Sequence, residues 1–476
     1  MGQEITTTHF CQEDFEDFQH NLEAETLLLR EWFDNGRLSD EAPVAGFEIE
    51  AWLLDDDYHP MPANEAFLRA FDNELASPEL AQFNIELNTY PHSLNDRVLS
   101  DLHHELQTTC HKAGDCARGI GSRILITGIL PTLRPSDLTL ANMSDMRRYR
   151  ALNEQVLNSR QGAPLHLEIT GPEHLSEDHD NVMLEAATTS FQIHIQVPPE
   201  TAHHYYNASI IASAPMVAAC ANSPYLFNKE LWDETRIPLF EQSVEVGGYD
   251  GAAHGPLRRV SFGSDYARQS IFEAFEENLE HFPALLPIRF DEPETLLPHL
   301  RLHNGTIWRW NRPLIGFDDT GIPHVRIEHR VVPAGPSITD SIANAALYYG
   351  LAQGLVQSRL EQQLPFSEAK DNFYKAARNG LRAKVIWPGS EEHISIRKLL
   401  LDELLPLAQR GLDELGIDSA DSAHYLGIIR ERVDSGQNGS EWQRRFCAVH
   451  GRDMPKLTAT MLHFQHTDRP VHEWDI

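Results

Sequence analysis

Four short stretches of the chain set ionisable or amide side chains two residues apart among apolar ones. GFEIEAW places Glu48 and Glu50 between Phe47, Ile49 and Ala51, and FNIELN places Asn84, Glu86 and Asn88 between Phe83, Ile85 and Leu87. FQIHIQV places Gln192, His194 and Gln196 against Ile193 and Ile195, and VRIEHR places Arg326, Glu328 and Arg330 against Ile327 and His329. Side chains of an extended strand alternate between faces, so each stretch presents one polar row and one apolar row. An antiparallel sheet wet on one side shows such alternation anyway. The composition of these rows is the unusual feature: they hold Glu, His, Arg, Gln and Asn, without a single Lys. If the strands share a sheet, Glu48, Glu50, Glu86 and Glu328 converge, and like charges at close range are costly unless a cation lies among them. Carboxylates with at most one imidazole suit Mg²⁺ or Mn²⁺ better than zinc. Arginines in the same basin would face a polyanion, and the combination reads as phosphoryl chemistry on ATP.

The elements that must position these rows are also visible. Apolar residues recur at three- and four-residue steps in DFQHNLEAETLLLREWF, LNDRVLSDLHHELQTTCHKAGDCAR and MSDMRRYRALNEQVLNSR, which predicts helices. Strands are expected in VAGFEIEAWLL, AQFNIELNTY, SRILITGIL, TTSFQIHIQVP, GTIWRWNRP and PHVRIEHRVV, between clusters of Pro, Gly, Asn and Asp. Beyond about residue 337 the pattern is almost wholly helical. These features predict an α+β fold, with an N-terminal helical segment over 1–40, a catalytic domain over 41–345 and a helical C-terminal portion over 346–476 packed on it. The strand spacing is too irregular for repeated βαβ units, the Gly-x-Gly of GIGSRILITG precedes its strand, and no phosphate-binding GxxxxGK[ST] loop or GxSxG elbow occurs.

With 476 residues and a formal charge of −32, the chain can bury a sizeable core and is a poor partner for nucleic acid or anionic membranes. Arg outnumbers Lys by 32 to seven, and Arg is the residue suited to bidentate contact with phosphate and carboxylate. The five Cys are scattered without paired spacing, which fits reduced thiols. No targeting segment stands at the N-terminus, and the longest apolar stretch, IIASAPMVAACA, is too short to span a bilayer, so a soluble cytoplasmic protein is expected. His166 and Glu168 alternate in PLHLEIT and read as structural. Trp308 and Trp310 read as core or as stacking platforms. The His103–His104 and His203–His204 pairs stand in helical or turn-like contexts without matching acidic partners and read as surface.

Taken in order, GFEIE, PELAQFNIELNT, SFQIHIQVP, LRLHNGTIWRWNRP and VRIEHRVVPAGPS resemble the carboxylate-amine ligase family that includes glutamate–cysteine ligase type 2. More distantly they resemble the glutamine synthetase superfamily, whose R-x-E-x-R strand matches Arg326–Glu328–Arg330. The likeness covers roughly residues 44–345, with a trace in RPVHEW near the C-terminus. It implies a curved, mainly antiparallel sheet with flanking helices, whose concave face holds ATP with two or three divalent cations. Glu48 and Glu50 would each face a different ion; Glu79 and Glu86 would complete the shell of the first, while His194 and Glu328 would join Glu48 at the second. Arg326 and Arg330 would grip nucleotide phosphate and the acyl phosphate, with Arg309 and Arg312 as further clamps. The implied reaction activates a carboxylate, the γ-carboxylate of glutamate, and joins it to an amine, cysteine being the family default, as in glutathione biosynthesis. The partners are small molecules, and association of identical copies stays open. Two alternatives stand beside this: a small-molecule kinase on the same fold, and a non-catalytic sensor of ATP or amino acids. The acceptor pocket is expected in loops such as EVGGYDGAAHGPLRRVSFGS.

Overall fold

The structure, a computed structural model, describes residues 5, 7–41, 43–246, 258–390 and 393–476. Its centre is an eight-stranded sheet in which every pairing is antiparallel. Six strands matter for the site: β1 (Val44–Leu54), β2 (Ala76–Pro78), β3 (Asn84–Asn88), β4 (Phe191–Val197), β5 (Asn311–Phe317) and β6 (Pro323–His329). They lie side by side in the order β5-β6-β4-β1-β3-β2. The two remaining strands, His92–Ser93 and Arg123–Leu125, both pair with β1.

Register fixes which residues meet. His194 on β4 lies opposite Gly46 on β1 and opposite Glu328 on β6, Glu48 lies opposite Gln192, Arg312 opposite Glu328, and Glu50 opposite Glu86. A one-residue slip would turn every polar row into the core, so the apolar rows specify this register. Those rows are covered by helices. Four helices recur below: α1 (Gln12–Asp34), α2 (Ala202–Cys220), α3 (Pro298–Gly305) and α4 (Ile338–Ser358). α2 and α4 are rich in Ala and buried along nearly their whole length, which lets them pack closely on each other and on the sheet. Tyr349 of α4 donates to the His194 carbonyl at 3.1 Å and packs beside Phe47, and His329 stacks on Tyr348 with centroids 4.2 Å apart. The apolar rows and His329 therefore face the helices, leaving the Glu, His and Arg rows on the other side of the sheet.

The expected order of elements holds: an α+β sheet in the first two thirds and helices thereafter. One hydrophobic core runs from Phe18 to Trp474, and the boundary expected at 345 falls inside α4. All five cysteines are free thiols. No helix among the described residues is long and apolar enough to cross a membrane.

Candidate active site

On the polar face, Glu48 Oε1 lies 3.3 Å and Glu328 Oε1 3.8 Å from His194 Nε2. One ligand atom from each of these three residues falls within 4.8 Å of the others, the only such His/Cys/Asp/Glu group among the described residues. His194 Nε2 is buried without a hydrogen-bond partner. Burial pulls the imidazole below its ordinary value, against the opposing pull of Glu48, so it is held neutral with a lone pair to offer. The donor set fits a hard divalent cation.

Glu328 is gripped by arginines. Arg312 forms a two-pronged pair with it, Nε to Oε2 at 2.8 Å and Nη2 to Oε1 at 3.0 Å, and Arg330 Nη1 adds a contact at 3.1 Å. Burial alone would raise Glu328, but Arg312 and Arg330 outweigh it and hold the carboxyl well below the usual range. Arg330 also donates to Gln192 Oε1. Arg326 is half-buried, and its Nε is buried without a partner.

A second group of acids behaves in the opposite way. Glu50 accepts from the Ser190 N–H and hydroxyl, each at 2.8 Å, and from Gln192 Nε2 at 2.9 Å. Burial nevertheless raises it. Glu86 accepts from Ser77 Oγ at 3.0 Å and Asn88 Nδ2 at 3.1 Å, yet burial and then Glu48 push it up to about 7. Burial, then Glu86, Glu50 and Glu185 raise Glu79 well above the ordinary carboxyl value. Glu185, on the 3₁₀ turn Val182–Ala187 just before β4, is pushed up to about 8 by burial and by Glu50. These carboxylates share one field, and Arg330 is the guanidinium that acts on both Glu50 and Glu185.

Glu48, Arg312, Arg326 and Glu328 form the polar end of a cavity of about 450 Å³. The rest of the lining mixes apolar residues, among them Leu152, Leu286, Leu302, Trp308 and Ile315, with the charged Arg148, Glu292 and, from α3, Arg301. A lining that combines several arginines with apolar and aromatic side chains suits a ligand that carries both a polyanionic group and a ring.

Of the residues read from sequence, Glu48, His194 and Glu328 meet directly, Arg312, Arg326 and Arg330 surround them, and Glu50, Glu79 and Glu86 form the adjoining acidic group. Arg309 is not brought to the cavity: Nη1 donates to Asn278 at 2.6 Å, Nη2 pairs with Glu277 at 3.2 Å, and the guanidinium lies over Phe282. The two tryptophans separate, Trp308 lining the cavity and Trp310 buried with its indole N–H on Glu241. His166 and Glu168 sit exposed on a surface hairpin. The histidine pairs do have acidic partners, supplied from far along the chain: Asp468 for His103 at 3.0 Å and Glu361 for His204 at 3.5 Å. Residues 247–257 of the expected acceptor loop lie outside the described residues. Glu185 and Arg301 were not anticipated. Neither stands in an alternating stretch, and a lone acid or Arg in NVMLEAATTS or PHLRLHNG carries no signal of its own.

A family model described as Glutamate-cysteine ligase family 2 matches residues 44–461. No curated protein matches the chain by sequence. Among solved structures, a glutamate–cysteine ligase from Francisella tularensis in complex with AMP is similar at 11% identity and a TM-score of 0.55, with 90% of each chain covered. A bifunctional glutathione synthetase from Pasteurella multocida is similar at 13% identity and a TM-score of 0.47, covering 89% of this chain and 52% of that one.

Proposed function

The chain belongs to glutamate–cysteine ligase family 2 and is an enzyme that joins a carboxylate to an amine through a C–N bond, and from that premise we propose that it does so at the expense of ATP, with glutamate as the acid. The observation that carries this reading is the Glu48–His194–Glu328 cluster, with its orphaned imidazole nitrogen, at the arginine-rich end of a partly apolar cavity. The AMP bound to the Francisella ligase supports a nucleotide here, its base against the apolar side chains and its phosphates at the polar end.

Glu48, His194 and Glu328 would hold one Mg²⁺ or Mn²⁺, and Glu50, Glu79 and Glu86 would hold another; such ions, when bound, neutralise phosphate oxygens and favour in-line transfer. Arg326 and Arg312 bind and orient the triphosphate, and Arg330 serves the carboxylate that attacks it. A carboxylate oxygen of the acid forms a bond to the γ-phosphorus as the bond to the β-bridging oxygen breaks, releasing ADP. The amine nitrogen then attacks the acyl carbon, phosphate leaves, and the amine gives up one proton. No side-chain nucleophile is required, so the residues act by position and fixed charge. Glu328 is pre-paired with arginines, so it keeps its place and its charge before substrate arrives.

Phosphate release from ATP with Mg²⁺ and glutamate, measured against a panel of amino acids and amines, tests the proposal. Release that depends on an amine is expected, with Glu328→Gln silent. Release without any amine would point to a kinase, and no release with any acid and amine would contradict the reading.

A further inference from the structure

α1 precedes the segment matched by the family model, which begins at residue 44. It is nevertheless wired into the cavity. Glu25, on its buried face, is 1% exposed, and its carboxylate is spent entirely on α3. Oε1 lies 2.6 Å from His299 Nδ1, and Oε2 accepts the Leu300 N–H at 2.7 Å. α3 has no capping side chain of its own, since the residue before it, Leu297, sits in the left-handed region with φ 49° and offers no polar atom. The first amides of a helix need acceptors, and an acid there also complements the helix dipole. Glu25 does that work from a point 275 residues upstream.

What α3 carries explains why this matters. Leu300, Arg301, Leu302 and Gly305 line the cavity. At the other end of the helix the Gly305 carbonyl accepts from Arg312 Nη1 at 3.2 Å, while the other two nitrogens of Arg312 hold Glu328. The connection runs from Glu25 through α3 to Arg312 and then to Glu328. Around it, Arg289 Nε and Nη2 pair with Asp14 and Asp17 of α1, each at 3.0 Å, Arg30 pairs with Glu276, and Ile5 also lines the cavity.

We infer that Glu25 is a positioning residue for nucleotide binding: by capping α3 from α1 it sets Arg301 and Arg312 at the polar end of the cavity. This rests on the nucleotide occupying that cavity. Losing it should weaken the nucleotide selectively and leave the handling of the acid, assigned above to Arg330, little changed.

The test measures binding of Mg²⁺ with a non-hydrolysable ATP analogue by calorimetry, and KM for glutamate, in the full chain and three variants. Glu25→Ala should weaken the analogue roughly 5- to 20-fold, the size of effect a lost helix cap produces. Glu25→Gln keeps an acceptor for Leu300 but loses the charge, and should fall between the wild type and Glu25→Ala. Glu23→Ala, exposed on the same helix, should match the wild type. KM for glutamate should stay within about twofold in all of them. If Glu25→Ala does not fold, Glu25→Gln decides, and affinity equal to the wild type overturns the inference. Equal weakening of analogue and glutamate overturns it too, because that marks a general loss of structure. A wild-type protein that binds no analogue fails the reading of the cavity itself, and the inference with it; a wild type that binds, with Glu25 variants unchanged, fails the inference alone.

Discussion

Two groups of carboxylates share one face of one sheet and are treated oppositely. At β6, Glu328 is surrounded by Arg312, Arg330 and the neutral His194, and its carboxyl is held low. Just after β2, on β3 and on the turn before β4, Glu79, Glu86 and Glu185 receive few donors and are held high. The protein neutralises the first group with its own cations. In the second group burial outweighs the available donors and raises the carboxyls. The contrast separates acids that the fold pairs with its own cations from acids that it buries without them.

The sharpest way to break this comparison is to remove one acid from each side. Glu328→Gln leaves Arg312 and Arg330 buried without their countercharge, so it should cost about 3 kcal/mol of stability in urea unfolding. Amine-dependent phosphate release should fall by roughly 10²–10⁴. Glu86→Gln should also suppress turnover, but in the metal-free protein its stability should stay within about 1 kcal/mol of the wild type or rise above it, because it removes a buried acid that the fold does not pair. The rise in melting temperature that Mg²⁺ gives the wild type should shrink in Glu86→Gln. A large loss in Glu328→Gln beside little or no loss in Glu86→Gln sustains the distinction; equal losses in both would erase it.

A pH profile sharpens it further. Glu185 titrates at an ordinary value of 4.5 when unfolded and at about 8 in the fold, so between those values the native state holds the extra proton and stability falls as pH rises. Glu185→Gln should reduce that slope, leaving the part that Glu50, Glu79 and Glu86 contribute, and should melt higher than the wild type at pH 8–9 and alike at pH 4. Scanning calorimetry across that range checks it. The smallest effect belongs to Gly316, opposite His324 on the β5–β6 pair. An added Cβ there would lie 2.5 Å from His324 Nε2 and 2.8 Å from Arg326 Nη1. Gly316→Ala should displace Arg326 and weaken nucleotide binding about threefold, with little change in melting temperature.

The polar rows were legible because a strand's period of two writes its faces directly into the sequence, and β1, β3, β4 and β6 run without interruption through GFEIEAW, NIELN, FQIHIQV and VRIEH. Legibility failed where that period breaks. Trp308–Arg309 is a separate two-residue strand pairing in parallel with Val260–Ser261, while Arg312 belongs to β5, which begins at Asn311, so the two arginines of one motif are placed by different pairings and Arg309 goes to Asn278 and Glu277. Glu185 and Arg301 come from a 3₁₀ turn and a short helix, whose side chains are aimed by packing that local spacing does not encode. The partners of His103 and His204 lie 365 and 157 positions away or are supplied by other elements, and the cap that Glu25 gives α3 spans a similar gap; proximity of that kind exists only after folding.

The most direct test is an anomalous-difference map of the protein crystallised with Mn²⁺ and a non-hydrolysable ATP analogue. A manganese peak about 2–2.3 Å from Glu48, His194 Nε2 and Glu328, beside the analogue's phosphates in the arginine-lined end of the cavity, is the predicted result. An analogue bound elsewhere, or no manganese among these three side chains at saturating ion, would contradict the account.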